Sequence, residues 1–329
     1  MTALAPTIQA FFTQRLVQER NASPHTIAAY RDTIKLLLRF AAARTGRQPS
    51  TLDVSDLDAD TIAAFLDHLQ TERNNSARTR NARLAAIHSL YRYAALRHPE
   101  HAQDIQRVLS IPPKRSDRPL VTFLDRDETR ALLDAPDRST WTGRRDHTLL
   151  VFAIQTGLRA SELTTLNLAD IQLHGAAHVT CIGKGRKQRT TPLTRTTAAV
   201  LRVWLHERGG NPHDPLFPTI RGRRLSRDAL ERRLHLHLDR AAQFQPSLQQ
   251  KNVTLHTLRH TAAMQLLHAE IDTTVIALWL GHERVETTKI YLHADLALKE
   301  KALARTKPPD VKPGRYRPPD TLLAFLEAL

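Results

Sequence analysis

The residues best suited to chemistry lie between Thr254 and Tyr291. They are His256 and Arg259 in Thr254-Leu-His-Thr-Leu-Arg-His260, His282 in Leu280-Gly-His282, and a lone Tyr291 nine residues further on. Arginine and histidine side chains can hold a phosphodiester, and a tyrosine hydroxyl can attack one. Thr254 is a good N-cap. It sets His256 and Arg259 on one face near a helix N-terminus, where amide N–H groups and the dipole favour an anion. Gly281 ends an apolar helix and exposes His282. Taken alone, Tyr291 reads as a core residue. A metalloprotease zinc site on His256 and His260 would need Glu at position 257, where Thr257 stands, so no metal is expected.

Two further motifs earlier in the chain could complete such a site. Residues 145–156 read as an apolar helix stopped by Gly157, and a fresh helix starts at Ser161 and Glu162. Arg159 therefore sits at a helix–helix junction. It either makes a local ion pair with Glu162 or is oriented by that carboxylate for bidentate phosphate binding. Residues 177–182 and 190–193 alternate like strands around Gly183-Lys184-Gly185-Arg186-Lys187, which predicts a β-hairpin with a basic turn. The spacing is not that of a phosphate-binding P-loop. A turn carrying Lys184 could place an ammonium group in a minor groove or beside a leaving oxygen.

The elements that must position these residues are mostly helical. Residues 5–108 contain one glycine, Gly46, and show repeated helical periodicity, which predicts a domain of four or five helices. These include one over about 7–19, one opened by Ser23-Pro24, one capped by Asp58 or Asp60, and one starting after Ser76 that carries Arg78, Arg80 and Arg83. A linker with three prolines spans 109–122 and includes Lys114 and Arg115; it separates the N-terminal domain, 1–108, from a second domain, 123–306. Helices are expected at about 196–207 and 226–242, with the basic run Arg221, Arg223 and Arg224 between them. Residues 307–329 form a proline-rich arm and a short apolar helix from Asp320, which must dock somewhere because so short a helix is not stable alone.

Composition narrows the partner. The 329 residues carry 48 Lys plus Arg against 33 Asp plus Glu, a net +15, which points to a polyanion, most naturally nucleic acid. Over residues 1–110, 14 Lys plus Arg stand against 10 Asp plus Glu, so most of the excess lies C-terminal to the linker. Arg78, Arg80, Arg83, Lys114, Arg115, Arg186, Lys187, Arg221, Arg223 and Arg224 are the candidate DNA contacts, to phosphates more than to bases. A single cysteine, Cys181, excludes an intrachain disulfide framework and fits a reducing cytoplasm. No signal peptide or membrane span is expected.

Arg159 in Thr-Gly-Leu-Arg-Ala-Ser-Glu-Leu, Lys184 in Gly-Lys-Gly-Arg-Lys, His256 and Arg259 in His-Thr-Leu-Arg-His, His282 in Leu-Gly-His, and Tyr291 nine residues on together resemble the tyrosine recombinase, or phage integrase, family. The likeness covers nearly the whole chain and is nearest to the Xer-like and integrase-like members. It implies a mainly α fold: an all-α, SAM-like core-binding domain and an α+β catalytic domain with a small hairpin or sheet, forming a C-shaped clamp on DNA. It also implies roles. Tyr291 would attack the scissile phosphate to give a 3′-phosphotyrosyl link and a free 5′-hydroxyl. Arg159 and Arg259 would clamp the non-bridging oxygens, and His282 would add a hydrogen bond. Lys184 would act as general acid and His256 as proton acceptor or positioning group, with Glu162 and His260 supporting them.

No metal or other cofactor is needed, because the phosphotyrosine preserves the bond energy for religation. The implied partner is double-stranded DNA with an inverted-repeat core site. The chain would be a monomer in solution and a homotetramer on synapsed DNA, with helix 320–329 docking on the neighbouring protomer. Integration, excision, transposition of a mobile element and dimer resolution all fit. The rival readings are relaxation of the type IB topoisomerase kind and a non-catalytic DNA-binding protein of the same fold.

Overall fold

The computed structural model describes residues 4–116, 121–183, 187–282, 287, 288, 290 and 291. The chain divides into two compact units, Met1–Arg118 and Pro119–Leu329. Among the described residues no helix is long and apolar enough to cross a membrane.

The first unit is all helical: α1 (Leu4–Ala10) running into a π-helical stretch (Phe11–Glu19), α2 (Pro24–Thr45), α3 (Ala59–Thr71), α4 (Ala77–Ala94) and α5 (Ala102–Leu109). The first helix starts earlier than the periodicity predicts, and its second half widens to π geometry; Phe11 and Leu16 of that half are fully buried. Ser23, Asp58 and Ser76 cap α2, α3 and α4, each accepting a hydrogen bond from the backbone N–H three residues on. Gly46 ends α2 at φ 69°, a left-handed position that suits glycine. Phe11, Leu37, Phe65, Leu66, Leu69 and Ile87 fill one core, and the Tyr91 hydroxyl donates to the Leu57 carbonyl within it.

Two of the basic residues expected at a DNA surface face inward or are tied locally here. Arg80 is 5% exposed and donates to the Pro112 carbonyl at 3.1 Å, so it pins the start of the linker to α4 and does not present its charge to solvent. Asn81 clasps the backbone of Lys114 from both sides, and the Lys114 ammonium donates to Gln70 at 2.7 Å with Asp67 at 3.4 Å. Arg83 is half-buried, whereas Arg78 and Arg115 are exposed.

The second unit comprises α6 (Arg126–Asp134), α7 (Trp141–Thr156), α8 (Ala160–Thr165), β1 (Ile171–Gln172), β2 (His178–Ile182), β3 (Gln188–Pro192), α9 (Arg195–Arg208), α10 (Arg227–Ala241), α11 (Leu255–His268) and α12 (Thr273–Leu280). The sheet has three antiparallel strands in the order β1-β2-β3, one more than the hairpin read from the sequence; β1 is two residues long, too short to leave a periodic signal. Helix α7 packs against α9 and α11, and Phe152, Leu201, Trp204, Leu216 and Leu258 are all but fully buried in the core. A smaller cluster of Ala263, Met264, Leu267, Ile276, Leu280 and Tyr291 joins α11 to α12.

Two buried carboxylates in this unit have cationic partners. Asp146 on α7 receives Arg145, Arg233 and His237, which ties α10 to α7. Burial alone would raise the Asp146 carboxyl, but the His237 and Arg145 contacts outweigh it and hold the group below its ordinary value. Glu128, fully buried, accepts from Lys251 at 2.6 Å and Ser247 at 2.7 Å.

Candidate active site

Three local devices bring the site together. Gly157 (φ 63°) ends α7 and Gly281 (φ 64°) ends α12, both in the left-handed region, and Thr254 caps α11. Arg159 is the N-cap residue of α8, and its backbone N–H donates to Glu162 at 2.7 Å. The capping box thus fixes the arginine's backbone and supplies the carboxylate that holds its side chain.

The two arginines converge on one turn. Arg159 donates from Nη2 to the Gly281 carbonyl at 3.1 Å, and Arg259 donates from Nη2 to the neighbouring Leu280 carbonyl at 2.7 Å. Arg259 also donates from Nη1 to the Gly157 carbonyl at 2.7 Å. The carbonyl end of α12 carries partial negative charge, so it is a favourable seat for two cations that would otherwise repel. Arg259 is 2% exposed; burial first, then Arg159, lowers its pKa to about 10, so it remains a cation at neutral pH.

Glu162 is the counter-charge. Its Oε1 accepts from Arg159 Nη1 at 2.9 Å and from Arg189 Nη1 at 2.8 Å; its Oε2 accepts from the Arg159 N–H and from Arg189 Nη2 at 2.8 Å. Burial pushes this carboxyl up, but the Arg189 hydrogen bonds and the Arg159 N–H outweigh it, and the group lies below the usual carboxylate range. Two guanidiniums on one carboxylate, with Arg259 beside them on backbone carbonyls, leave a surplus of positive charge.

The histidines and the tyrosine lie beside this cluster. His282 follows the α12 turn and is hydrogen-bonded through Nδ1 to the Thr288 hydroxyl at 2.8 Å, so when that hydroxyl donates, the proton sits on Nε2. Burial first, then Arg259 and Arg159, lowers the His282 pKa to about 4. His260 is likewise lowered to about 4, by burial, then His256 and Arg259. The ring of His256, on the exposed side of α11, meets His260 edge-on with 4.3 Å between centroids. Tyr291 is 2% exposed, its ring is 5.5 Å from that of His260 and 6.4 Å from that of His282, and its hydroxyl is hydrogen-bonded to His260 Nδ1.

Arg159, Glu162, Arg259, His260, His282 and Tyr291 are therefore gathered in one place, with His256 against His260. The expected general acid Lys184, together with Arg186 and helix 320–329, lies outside the described residues. Lys187, Arg221 and Arg223 are exposed. Arg224 is exposed too, with its Nη1 donating to the Thr164 and Leu166 carbonyls at the end of α8 and its Nη2 to Asn167. Arg189 is the residue that sequence reasoning passed over. It pairs in register with Cys181, on the strand face that buries Val179 and Thr191. A charged residue on an inward strand face was the available signal. Among the described residues no group of His, Cys, Asp or Glu could hold a metal.

A helical unit followed by a mixed unit that gathers two arginines, two histidines and a tyrosine is the arrangement of a DNA-strand-handling protein, and the comparisons agree. The phage integrase family matches residues 122–297, and the phage integrase N-terminal SAM-like domain matches residues 9–98. The chain is similar to an integrase/recombinase of Sinorhizobium fredii, y4rC, with 55% identity over 99% of this chain and 98% of the relative. It is 35% identical to tyrosine recombinase XerC of Pelobacter propionicus, over 90% of this chain and 93% of that one. In fold it resembles XerH site-specific recombinase bound to a palindromic difH substrate after cleavage, with a TM-score of 0.66, 23% identity, and coverage of 87% of this chain and 81% of that one. The chain belongs to the phage integrase family.

Proposed function

We propose that this chain is a site-specific DNA recombinase that cuts and rejoins DNA through a 3′-phosphotyrosyl intermediate. Tyr291 attacks the scissile phosphorus, the 5′-oxygen leaves, and the reverse attack by the 5′-hydroxyl of a partner strand restores the phosphodiester and frees the tyrosine. Arg159 and Arg259 hold the non-bridging oxygens, whose charge grows in the transition state, and His282 adds a hydrogen bond from Nε2. Lys184 protonates the leaving 5′-oxygen, and His256 takes or positions the nucleophile's proton. The observation that carries the reading is the seating of Arg159 and Arg259 on the consecutive carbonyls of Gly281 and Leu280, beside His282 and Tyr291. The family membership favours strand exchange over simple relaxation.

The partner is duplex DNA, in keeping with the net charge of +15, at a core site of inverted repeats read by two protomers. The chain acts in the cytoplasm as a tetramer on two synapsed sites, in integration, excision, transposition or dimer resolution. Helix 320–329 docks on a neighbouring protomer, so its removal should weaken synapsis more than single-site binding.

The direct test is a nicked suicide duplex drawn from inverted repeats in the DNA flanking the coding sequence. The chain should become covalently attached to the 3′ end of the cleaved strand, and Tyr291→Phe should abolish the adduct. Attachment that survives in Tyr291→Phe, or none with the unaltered chain on any such duplex, would overturn the proposal.

A further inference from the structure

We infer that Arg189 is a positioning residue for this reaction: it sets the direction of Arg159 through Glu162, and the turn before His282 through Gly281. The inference rests on the recombinase reading above.

Arg189 reaches the site from β3 with its side chain 11% exposed. It meets the Glu162 carboxylate in a two-pronged arrangement, one Nη on each oxygen, both at 2.8 Å. The same two oxygens already accept the side chain and backbone N–H of Arg159. Four donors on one carboxylate leave it no freedom to rotate, so the oxygen that holds Arg159 Nη1 is fixed by Arg189. A bidentate fork is something arginine can supply and lysine cannot.

The second contact is steric. A methyl group at position 281 would lie 2.7 Å from Arg189 Nη1, 2.9 Å from Cδ and 3.1 Å from Cζ, so the guanidinium occupies the space that the glycine leaves open. The carbonyl of the same glycine accepts from Arg159. Gly281 is thus held between two arginines that share one carboxylate, and the next residue is His282. Arg189 also lies 3.2 Å from where a Cβ on Gly183 would be, and Gly183 closes the root of the β2–β3 turn by donating to the Lys187 carbonyl at 2.8 Å. A single side chain therefore connects the root of the hairpin, Glu162 with Arg159, and the turn that presents His282. Its Nε is buried with no hydrogen-bond partner among the described residues, an arrangement that stability alone would not select.

The test is single-turnover cleavage of a nicked duplex by the full chain and by Arg189→Ala, Arg189→Lys, Glu162→Gln and the Arg189→Ala/Glu162→Gln pair, with DNA affinity and thermal melts measured in parallel. Arg189→Ala should slow cleavage by roughly 30-fold with affinity nearly unchanged, and Arg189→Lys should recover part of the rate. In the Glu162→Gln background the Arg189→Ala change should cost little more, because both act through one carboxylate. Losing a cation from Glu162 should also move the acid limb of the rate–pH profile of Arg189→Ala to higher pH, which a purely structural role would not do. If Arg189→Ala melts too low for assay, Arg189→Gln, which removes the charge and keeps most of the side-chain length, takes its place in the pH comparison. Full-rate cleavage by Arg189→Ala, full additivity with Glu162→Gln, or an unmoved acid limb would each overturn the inference while the recombinase reading stands. Absence of cleavage by the unaltered chain would remove the recombinase reading and this inference with it.

Discussion

The phenolic hydroxyl of Tyr291 and Nδ1 of His260 share a hydrogen bond of 3.0 Å across 31 residues of sequence. Burial raises the tyrosine to about 12, with Arg259 and Arg159 opposing it, while His260 is lowered to about 4. At neutral pH the phenol therefore keeps its proton and the imidazole is neutral; in the tautomer protonated on Nε2, Nδ1 accepts from the phenol. Tyr291 is 2% exposed, and the His260 bond fixes the direction in which its oxygen points. His260→Phe keeps a ring in place and removes the acceptor. Single-turnover cleavage should fall about tenfold, the worth of one positioning hydrogen bond. A rate equal to that of the unaltered chain would show that the bond plays no part in the attack.

Glu162→Gln tests the counter-charge. At 3% exposure Glu162 faces both Arg159 and Arg189, and its neutral isostere leaves two guanidiniums without their shared anion. Removing one partner of a buried ion pair costs on the order of 3–5 kcal/mol, enough to lower the melting temperature of the second unit by roughly 10 °C. Differential scanning calorimetry would measure it. A change below about 2 °C would mean that the arginines are held by the backbone carbonyls alone.

The histidines predict acid lability with a defined window. His260 and His282 are each lowered from 6.5 to about 4, so between those values the unfolded chain binds protons that the native chain refuses. Their contribution is present above pH 6.5 and is lost as the pH falls towards 4. Glu162 acts in the same direction, because its lowered carboxyl contributes stability that is lost as the pH falls through its folded value. Melting temperatures should drop steadily from pH 7 to pH 4, and less steeply in His260→Phe. A flat profile over that range would contradict the buried, neutral state of the rings.

Much of this was legible in the sequence, for identifiable reasons. Ser23, Asp58, Ser76 and Thr254 are strong caps, and Gly46, Gly157 and Gly281 stop helices at left-handed positions, so the ends of the helices that carry Arg259 and precede Arg159 and His282 could be read directly. The orientation of charges was not legible. Arg80 and Arg224 look like their basic neighbours, yet they cap or pin backbone carbonyls, because a helix or linker end with free carbonyls attracts any donor within reach. Arg189 hid in a basic turn for the same reason: only the strand register, which sets it opposite Cys181, turns it inward. Tyr291 reads as core by itself and is indeed buried, and only its bond to His260 and its stacking near His282 give it a chemical setting.

Lys184 is tested by the leaving group. If it protonates the departing 5′-oxygen, Lys184→Ala should cut an ordinary nicked duplex at least about a hundredfold more slowly, within the range of general acid catalysis. On a 5′-bridging phosphorothioate, whose thiolate leaves without a proton, the variant should recover to nearly the rate of the unaltered chain. Equal impairment on both substrates would assign Lys184 to binding and not to proton transfer.

The two helix-ending glycines should separate stability from catalysis. At Gly157 (φ 63°) an added Cβ would lie 2.7 Å from Leu280 Cδ2 and 3.0 Å from Ala262 Cβ, both within packed, buried structure. Gly157→Ala therefore combines a left-handed backbone with overpacking and should cost roughly 2–4 kcal/mol of stability. It also displaces the carbonyl that holds Arg259, so cleavage should fall as well. At Gly281 (φ 64°) the new methyl would meet the Arg189 side chain, whose far end can move away. The backbone strain remains, about 1 kcal/mol, but the clash can relax. The relaxation withdraws Arg189 from Glu162 and tilts the turn that carries His282, so Gly281→Ala should lose part of the ion pairing at Glu162 as well as the strain energy, and should lose more cleavage rate for each degree of melting temperature than Gly157→Ala does. Thermal melts and single-turnover rates on the same two proteins decide it. If Gly281→Ala lost stability and rate in the same proportion as Gly157→Ala, the turn would be a structural joint with no separate part in aligning the site.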